Sequence, residues 1–218
     1  HEHHHDHAHV HQHSHDHSYI QANVEHFDKM VDEYENIPGA RELMTHIGAT
    51  FRKTGVFSKE KTNVLDFACG IGMLSREIFP ISKSIVGIDI SPNSVKAYNH
   101  RAAELGAQPG EMGAVTLDIL HDDLAVLGGA KFDVAVCSMA YHHFEHPDEI
   151  TRALVALLNP DGHLFVVDFL HGHPLHKAKS PLSGEIEGYV PHVNGFSAEQ
   201  MRATFEGAGL QDFKFDEV

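Results

Sequence analysis

Three aspartates stand at or near the carboxyl ends of three successive apolar runs: Asp66 in 63–67, Asp89 in 84–90 and Asp118 in 114–118. The first run leads into Cys69-Gly70-Ile71-Gly72. Glycine at Gly70 and Gly72 would let backbone approach a ligand closely, since a Cβ at either position would crowd it. A strand followed by Gly-x-Gly opens the dinucleotide fingerprint, but the third glycine of that pattern is replaced here by Ser75. Asp66 argues against a pyrophosphate as well. Like charges about 4 Å apart cost roughly 4 kcal/mol at an effective dielectric of 20. A ligand carrying a cation to this turn reverses the sign.

The amino group and sulfonium of S-adenosylmethionine supply such cations. Asp89 lies 17 residues past Gly72, where a carboxylate can accept both hydroxyls of a ribose. Asp118 with apolar Ile119 suits the amino group and face of an adenine. A single aspartate at a strand end also serves as a helix cap, and Ser91 could cap the helix after Asp89 by itself. Three such acids in register favour a ligand.

Ser138-Met139-Ala140-Tyr141-His142-His143 follows the fourth apolar run. Ser138 and Met139 are placed to meet the amino-acid end of that ligand. Tyr141 and His142 are candidates to face an acceptor, and His143 is either a further acceptor contact or a packing residue that starts the next helix. Methyl transfer is an in-line displacement on an already activated donor, so alignment dominates. A base is needed only if the nucleophile begins protonated, and His142 is a candidate. His171, His173 and His176 have metal-ligand spacing but no evident fourth ligand, and read as a solvated loop.

The first 18 residues, HEHHHDHAHVHQHSHDHS, carry histidine at every odd position. Neutral imidazoles so spaced, His3, His5, His7, His9 and His11 among them, are competent to bind Zn²⁺, Ni²⁺ or Cu²⁺. The segment is low in complexity and is set apart from the fold, which begins at Tyr19.

Elements that position these residues alternate. Val24, Phe27, Met30, Val31 and Tyr34 recur at helical spacing, and Leu43, Ile47 and Phe51 mark a second helix opening near Pro38. Strands are expected at 63–67, 84–90, 114–118, 132–138 and 163–169, and helices at 73–79, 91–105, near Leu124, at 147–158 and at 197–208. Short links between strand and helix predict right-handed crossovers onto a mostly parallel, doubly wound α/β sheet with helices on both faces, a Rossmann-like fold. Residues 19–57 are expected to form N-terminal lid helices and 58–218 the core, with a last strand at 213–218.

The chain has 218 residues and a formal charge of −15. Such an acidic body repels phosphate backbones, so no nucleic-acid partner is expected. No apolar run approaches the roughly 18 residues of a membrane span, and no charged-then-apolar leader is visible. With two cysteines, Cys69 and Cys137, both in apolar segments, a reducing, cytoplasmic setting is expected.

VLDFACGIG, VGIDIS, LDIL and LNPDGHLFVVDF resemble the successive motifs of class I S-adenosylmethionine-dependent methyltransferases, specifically small-molecule enzymes of the ubiquinone-biosynthesis type. The likeness runs from about Val24 to the C-terminus, and Asp161 replaces the first glycine of the family's L-x-P-G-G turn. FDKMVDEYE resembles the family's lid helix, with Tyr34 matching its cofactor-proximal Tyr. The resemblance implies that Tyr34, Asp66, Ala68, Gly70, Gly72, Asp89, Ile90, Asp118, Ile119, Ser138 and Met139 hold S-adenosylmethionine, with S-adenosylhomocysteine as product. VPHVNGFS resembles the loop closure that lines the family's acceptor pocket, which implies His192 and Phe196 there, beside Tyr141 and His143, with His192 a second candidate base. It also implies an antiparallel final strand beyond 213–218, expected either to be lacking in this protein or to be cut off from this sequence. Two further readings stay open: a protein or peptide methyltransferase, one acting on histidine included, and a metal-handling protein on a methyltransferase-like body.

Overall fold

The computed structural model describes residues 8–172 and 190–217, with side chains described from Tyr19. Five strands, β1 (Asn63–Phe67), β2 (Ser84–Asp89), β3 (Met112–Thr116), β4 (Phe132–Ser138) and β5 (Leu158–Val167), form one sheet in the order β3-β2-β1-β4-β5. Every pairing is parallel, with Val64 aligned to Ile85 on one side and to Val134 on the other. Around it lie α1 (Ala8–Met30), α2 (Ala40–Lys53), α3 (Met73–Ile78), α4 (Pro92–Glu104), α5 (Pro147–Ala156) and α6 (Ala198–Gly207).

Because both faces of the sheet are covered, the strands are apolar on both sides rather than alternating with polar residues. Leu65, Phe67, Ala135 and Cys137 pack with Leu154 of α5 and Met201 of α6. Their neighbours Val64, Val134 and Val136 point the other way, onto Phe51 of α2, Ile78 of α3 and Tyr98 of α4. Asp66 shares the face of Val64 by the same alternation, so a carboxylate is set within an apolar layer. No helix among the described residues is long and apolar enough to cross a membrane.

The helices begin where their caps dictate. Ser91 accepts the Ser94 amide at the start of α4, and Ser197 forms a capping box with Gln200 at the start of α6. Pro147 opens α5, where its missing N–H costs nothing.

Two expectations are corrected. The segment 213–217 forms no strand; Phe213 instead packs on Phe205 of α6 with ring centroids 5.6 Å apart, under the guanidinium of Arg202. Among the described residues the sheet is therefore wholly parallel. β3 ends at Thr116, which leaves Asp118 in the loop beyond it. α2 packs on the core through Ile47 and Phe51, while Ala40, Leu43 and Met44 at its start line the cleft at the carboxyl ends of the strands. α1 runs from Ala8 to Met30. Asp161, in the irregular part of β5 where the pairing passes from Leu158 to His163, adopts φ +63°, a conformation that Asp tolerates better than most residues.

Candidate active site

At the carboxyl ends of β1, β2 and β4, where the strand order reverses about β1, lies a cleft of about 1830 Å³ roofed by residues of α1. Pockets for one drug-sized ligand are typically ~300–1,000 Å³, so this one has room for a cofactor and an acceptor together.

The floor is the turn after β1. Ala68, Gly70 and Gly72 have φ of +54°, +50° and +80°. A Cβ added at Gly70 would meet nothing within 4 Å, because that residue faces the cleft. A Cβ at Gly72 would lie 2.7 Å from Cδ2 of Tyr98. The expectation that Gly72 admits a ligand is corrected on this point: its missing side chain makes room for the Tyr98 ring, and it does not line the cleft.

Asp66 is 2% exposed. Ser75 Oγ donates to its Oδ2 at 2.6 Å, and the Tyr98 hydroxyl donates to Ser75 Oγ at 2.8 Å. Ser75, standing where the third glycine was missed, is thus the support of the carboxylate. Burial pushes the Asp66 pKa up to about 7; the Ser75 hydrogen bonds oppose this and the charge of Asp89 adds to it. Asp89 accepts the Ser91 amide at 2.9 Å and the Gly70 amide at 2.7 Å. Its pKa is also raised, by burial first, against the pull of those amides. Asp118 accepts the Leu120 amide at 3.0 Å and faces His121 Nδ1 at 2.9 Å. Tyr34, Ala68, Ile90, Ile119, Ser138 and Met139 complete the sequence-derived set along this wall.

On the reacting side the structure separates residues that are neighbours in sequence. His142 and His143 line the cleft. Tyr141 does not: it is fully buried among core residues, its hydroxyl 2.9 Å from Thr151 Oγ1 on α5, which corrects the expectation of an acceptor contact. His192 and Phe196 are corrected in the same way. Their rings pack on each other at 5.0 Å, Phe196 also packs on Tyr141, and neither lines the cleft. Burial lowers the pKa of His192, against the opposing effect of the backbone at Phe144 and Glu145.

Several lining residues escaped the sequence reading. Phe27, Phe144 and Phe169 make the cleft aromatic around His142 and His143; Phe27 was visible only as a helical apolar position. Asp28 accepts the Ser91 hydroxyl at 2.5 Å and the Asn93 amide at 3.1 Å, tying α1 to the start of α4. Asp168 contacts His142, and its signal was available, since it ends the fifth apolar run as the other acids end theirs. His3, His5, His7, His173 and His176 lie outside the described residues, as do the side chains of His9 and His11 in α1. Among the described residues no group of three or more His, Cys, Asp and Glu side chains is arranged to hold a metal.

The chain is similar to known proteins. The family model described as "Methyltransferase domain" matches residues 34–214. An uncharacterized methyltransferase of Schizosaccharomyces pombe is 34% identical over 181 residues, covering 78% of this chain and 58% of that protein. A ubiquinone biosynthesis O-methyltransferase of Xanthomonas axonopodis pv. citri is 32% identical over 103 residues, 47% of this chain and 41% of the relative. The chain therefore spans about half the length of these relatives. The YcgJ protein of Bacillus subtilis superposes with a TM-score of 0.57 at 18% identity, over 75% of this chain and 68% of that one, a likeness of fold alone.

Proposed function

Because the chain belongs to the class I S-adenosylmethionine-dependent methyltransferases, we propose that it transfers a methyl group from S-adenosylmethionine to a small, largely apolar acceptor and releases S-adenosylhomocysteine. The observation that carries this reading is the division of one cleft into two ends. Gly70, Asp66, Asp89 and Asp118 form a polar wall at the strand ends, and Phe27, Phe144 and Phe169 form an aromatic one.

The polar wall fits the nucleoside. Gly70 presents open space to it, Asp89 retains lone pairs for ribose hydroxyls beyond the two amides it accepts, and Ile119 offers a face to the adenine. Asp66, whose buried charge is costly, is stabilised by a cation. The sulfonium supplies an activated methyl. The residues at the aromatic end exclude water and orient the acceptor. The O-methyltransferases of ubiquinone biosynthesis among the relatives support a small acceptor over a peptide.

Calorimetry tests the reading directly. S-adenosylmethionine and S-adenosylhomocysteine should both bind and NAD should not. Absence of heat with both sulfur nucleosides would overturn it.

A further inference from the structure

His142 and Asp168 are 26 residues apart in sequence and meet at the cleft wall. Nδ1 of His142 lies 2.8 Å from Oδ1 of Asp168. Both carboxylate oxygens also accept backbone amides: Oδ2 that of His142 at 3.1 Å, and Oδ1 that of Phe169 at 2.7 Å. A carboxylate that accepts from its surroundings leaves Nδ1 as the donor, so the neutral ring carries its hydrogen on Nδ1 and a lone pair on Nε2. The two side chains are only 10% and 5% exposed. The ring sits 4.2 Å from that of His143 and 5.1 Å from that of Phe169, edge-on to the latter. No described residue hydrogen-bonds Nε2, and it is not among the sealed, unpartnered polar atoms. Asp168 thus fixes both the tautomer and the angle of a histidine that lines the cleft.

An imidazole held this way is more than packing needs. A neutral amine already presents its lone pair to a methyl donor, and a thiol ionises readily near neutral pH. An un-ionised hydroxyl is a poor nucleophile and must lose its proton as the new bond forms. A preset base is required only for the last.

Resting on the methyl-transfer reading above, we infer that His142 is the general base of this site, that Asp168 is its positioning residue, and that the acceptor atom is a hydroxyl oxygen on a flat, apolar molecule. The acceptor oxygen forms the O–C bond with its own electron pair, the pair of the broken C–S bond stays on sulfur, and the hydroxyl proton passes to Nε2 and then to water. Phe27, Phe144 and Phe169 supply the apolar faces for the acceptor. Among the described residues, the titratable groups facing the imidazole are Asp168 after β5, His143 beside it and His192 from the loop before α6.

The test has two arms. In the full chain loaded with S-adenosylhomocysteine, ¹⁵N NMR of histidine, with His142 assigned through His142→Gln, should show the Nδ1–H tautomer at neutral pH; Asp168→Asn should disturb it and Asp168→Glu should restore it. An Nε2–H tautomer in the unaltered chain overturns the assignment whether or not an acceptor is in hand. In the second arm, a panel of phenols and aromatic amines is offered with labelled donor. Phenols should be methylated in preference to amines. His142→Gln should lower kcat by roughly 10²–10⁴-fold while calorimetric affinity for S-adenosylhomocysteine is kept. Asp168→Asn should lower kcat with little change in KM, because the ring is then no longer held at its angle. Full activity of His142→Gln on a phenol, or methylation of amines alone, overturns the inference. Failure of the unaltered chain to bind the nucleoside would instead strike the methyl-transfer reading beneath it.

Discussion

Oδ2 of Asp89 accepts the backbone N–H of Gly70 at 2.7 Å. The carboxylate suited to a ribose is therefore also a strut of the glycine turn, and ligand affinity and turn geometry are coupled through one side chain. Asp89→Ala should do two kinds of damage. It would leave the amides of Gly70 and Ser91 without acceptors, at about 1–3 kcal/mol for each that stays buried, and it would remove the ribose acceptors. Asp89→Asn keeps one carbonyl oxygen and should lose less stability than affinity. Urea unfolding alongside calorimetry separates the two, and an alanine variant of unchanged stability would show that the turn stands without this strut.

Asp66 should make both stability and binding depend on pH. Its pKa is raised from the ordinary 3.8 to about 7, so between those values the folded chain holds a proton that the unfolded chain has lost. The stability this contributes is complete below the unfolded value and is lost as pH rises through the folded one, by roughly 4 kcal/mol in all. Asp66→Asn should thus match the parent near pH 4 and exceed it at pH 8 in thermal unfolding without ligand. A cationic ligand favours the ionised form, so S-adenosylmethionine should release protons on binding near pH 6 and bind more tightly toward pH 7. Calorimetry in buffers of different ionisation enthalpy reads that release, and zero release would mean that no cation reaches Asp66.

Gly70→Ala and Gly72→Ala should fail differently. At Gly72 the added methyl strikes the Tyr98 ring and also occupies φ +80°. Left-handed strain of about 1–2 kcal/mol and overpacking of about 1–3 kcal/mol predict a large loss of stability. At Gly70, φ +50°, the same backbone strain applies but the methyl enters open space in the cleft, so stability should fall less than at Gly72 while affinity for S-adenosylhomocysteine falls further. Equal loss of affinity and stability in both variants would contradict this division.

His192→Ala should lower thermal stability by about 0.5–3 kcal/mol and leave kcat unchanged, because the ring packs on Phe196 behind the cleft wall. Burial keeps this imidazole neutral, so its contribution is present above pH 6.5 and is lost as pH falls below that, where only the unfolded chain readily takes the proton. A rate loss as deep as that of His142→Gln would return His192 to the reacting side.

Asp28→Ala should loosen the roof of the site. Its carboxylate joins α1 to Ser91 and Asn93 at the start of α4, next to Asp89. Amide exchange in α1 should speed up while exchange in β1 and β4 stays slow, and the dissociation rate of S-adenosylhomocysteine should rise. Unchanged exchange in α1 would show that its apolar face alone holds it down.

Much of this was legible along the chain. Alternating apolar runs specify a parallel sheet because strands covered on both faces leave a continuous signal. Strand-end acids are legible for a related reason, since a carboxylate closing such a run has few structural uses. Asp66, Asp89 and Gly70 could be chosen from spacing alone. What spacing could not supply is adjacency across elements. Nothing in the string Tyr141-His142-His143 says that the first ring turns into the core toward Thr151 while the second meets Asp168. That outcome follows from the β4–β5 register, which aligns Ser138 with Val167 and so brings the two loops side by side. Likewise Gly70 and Gly72 are equivalent in the motif and differ only because Tyr98, arriving on α4, fills the space beside one of them. A local pattern records the period of a single element, whereas a site is made where elements distant in sequence are packed together, and only the folded chain decides which side chains meet there.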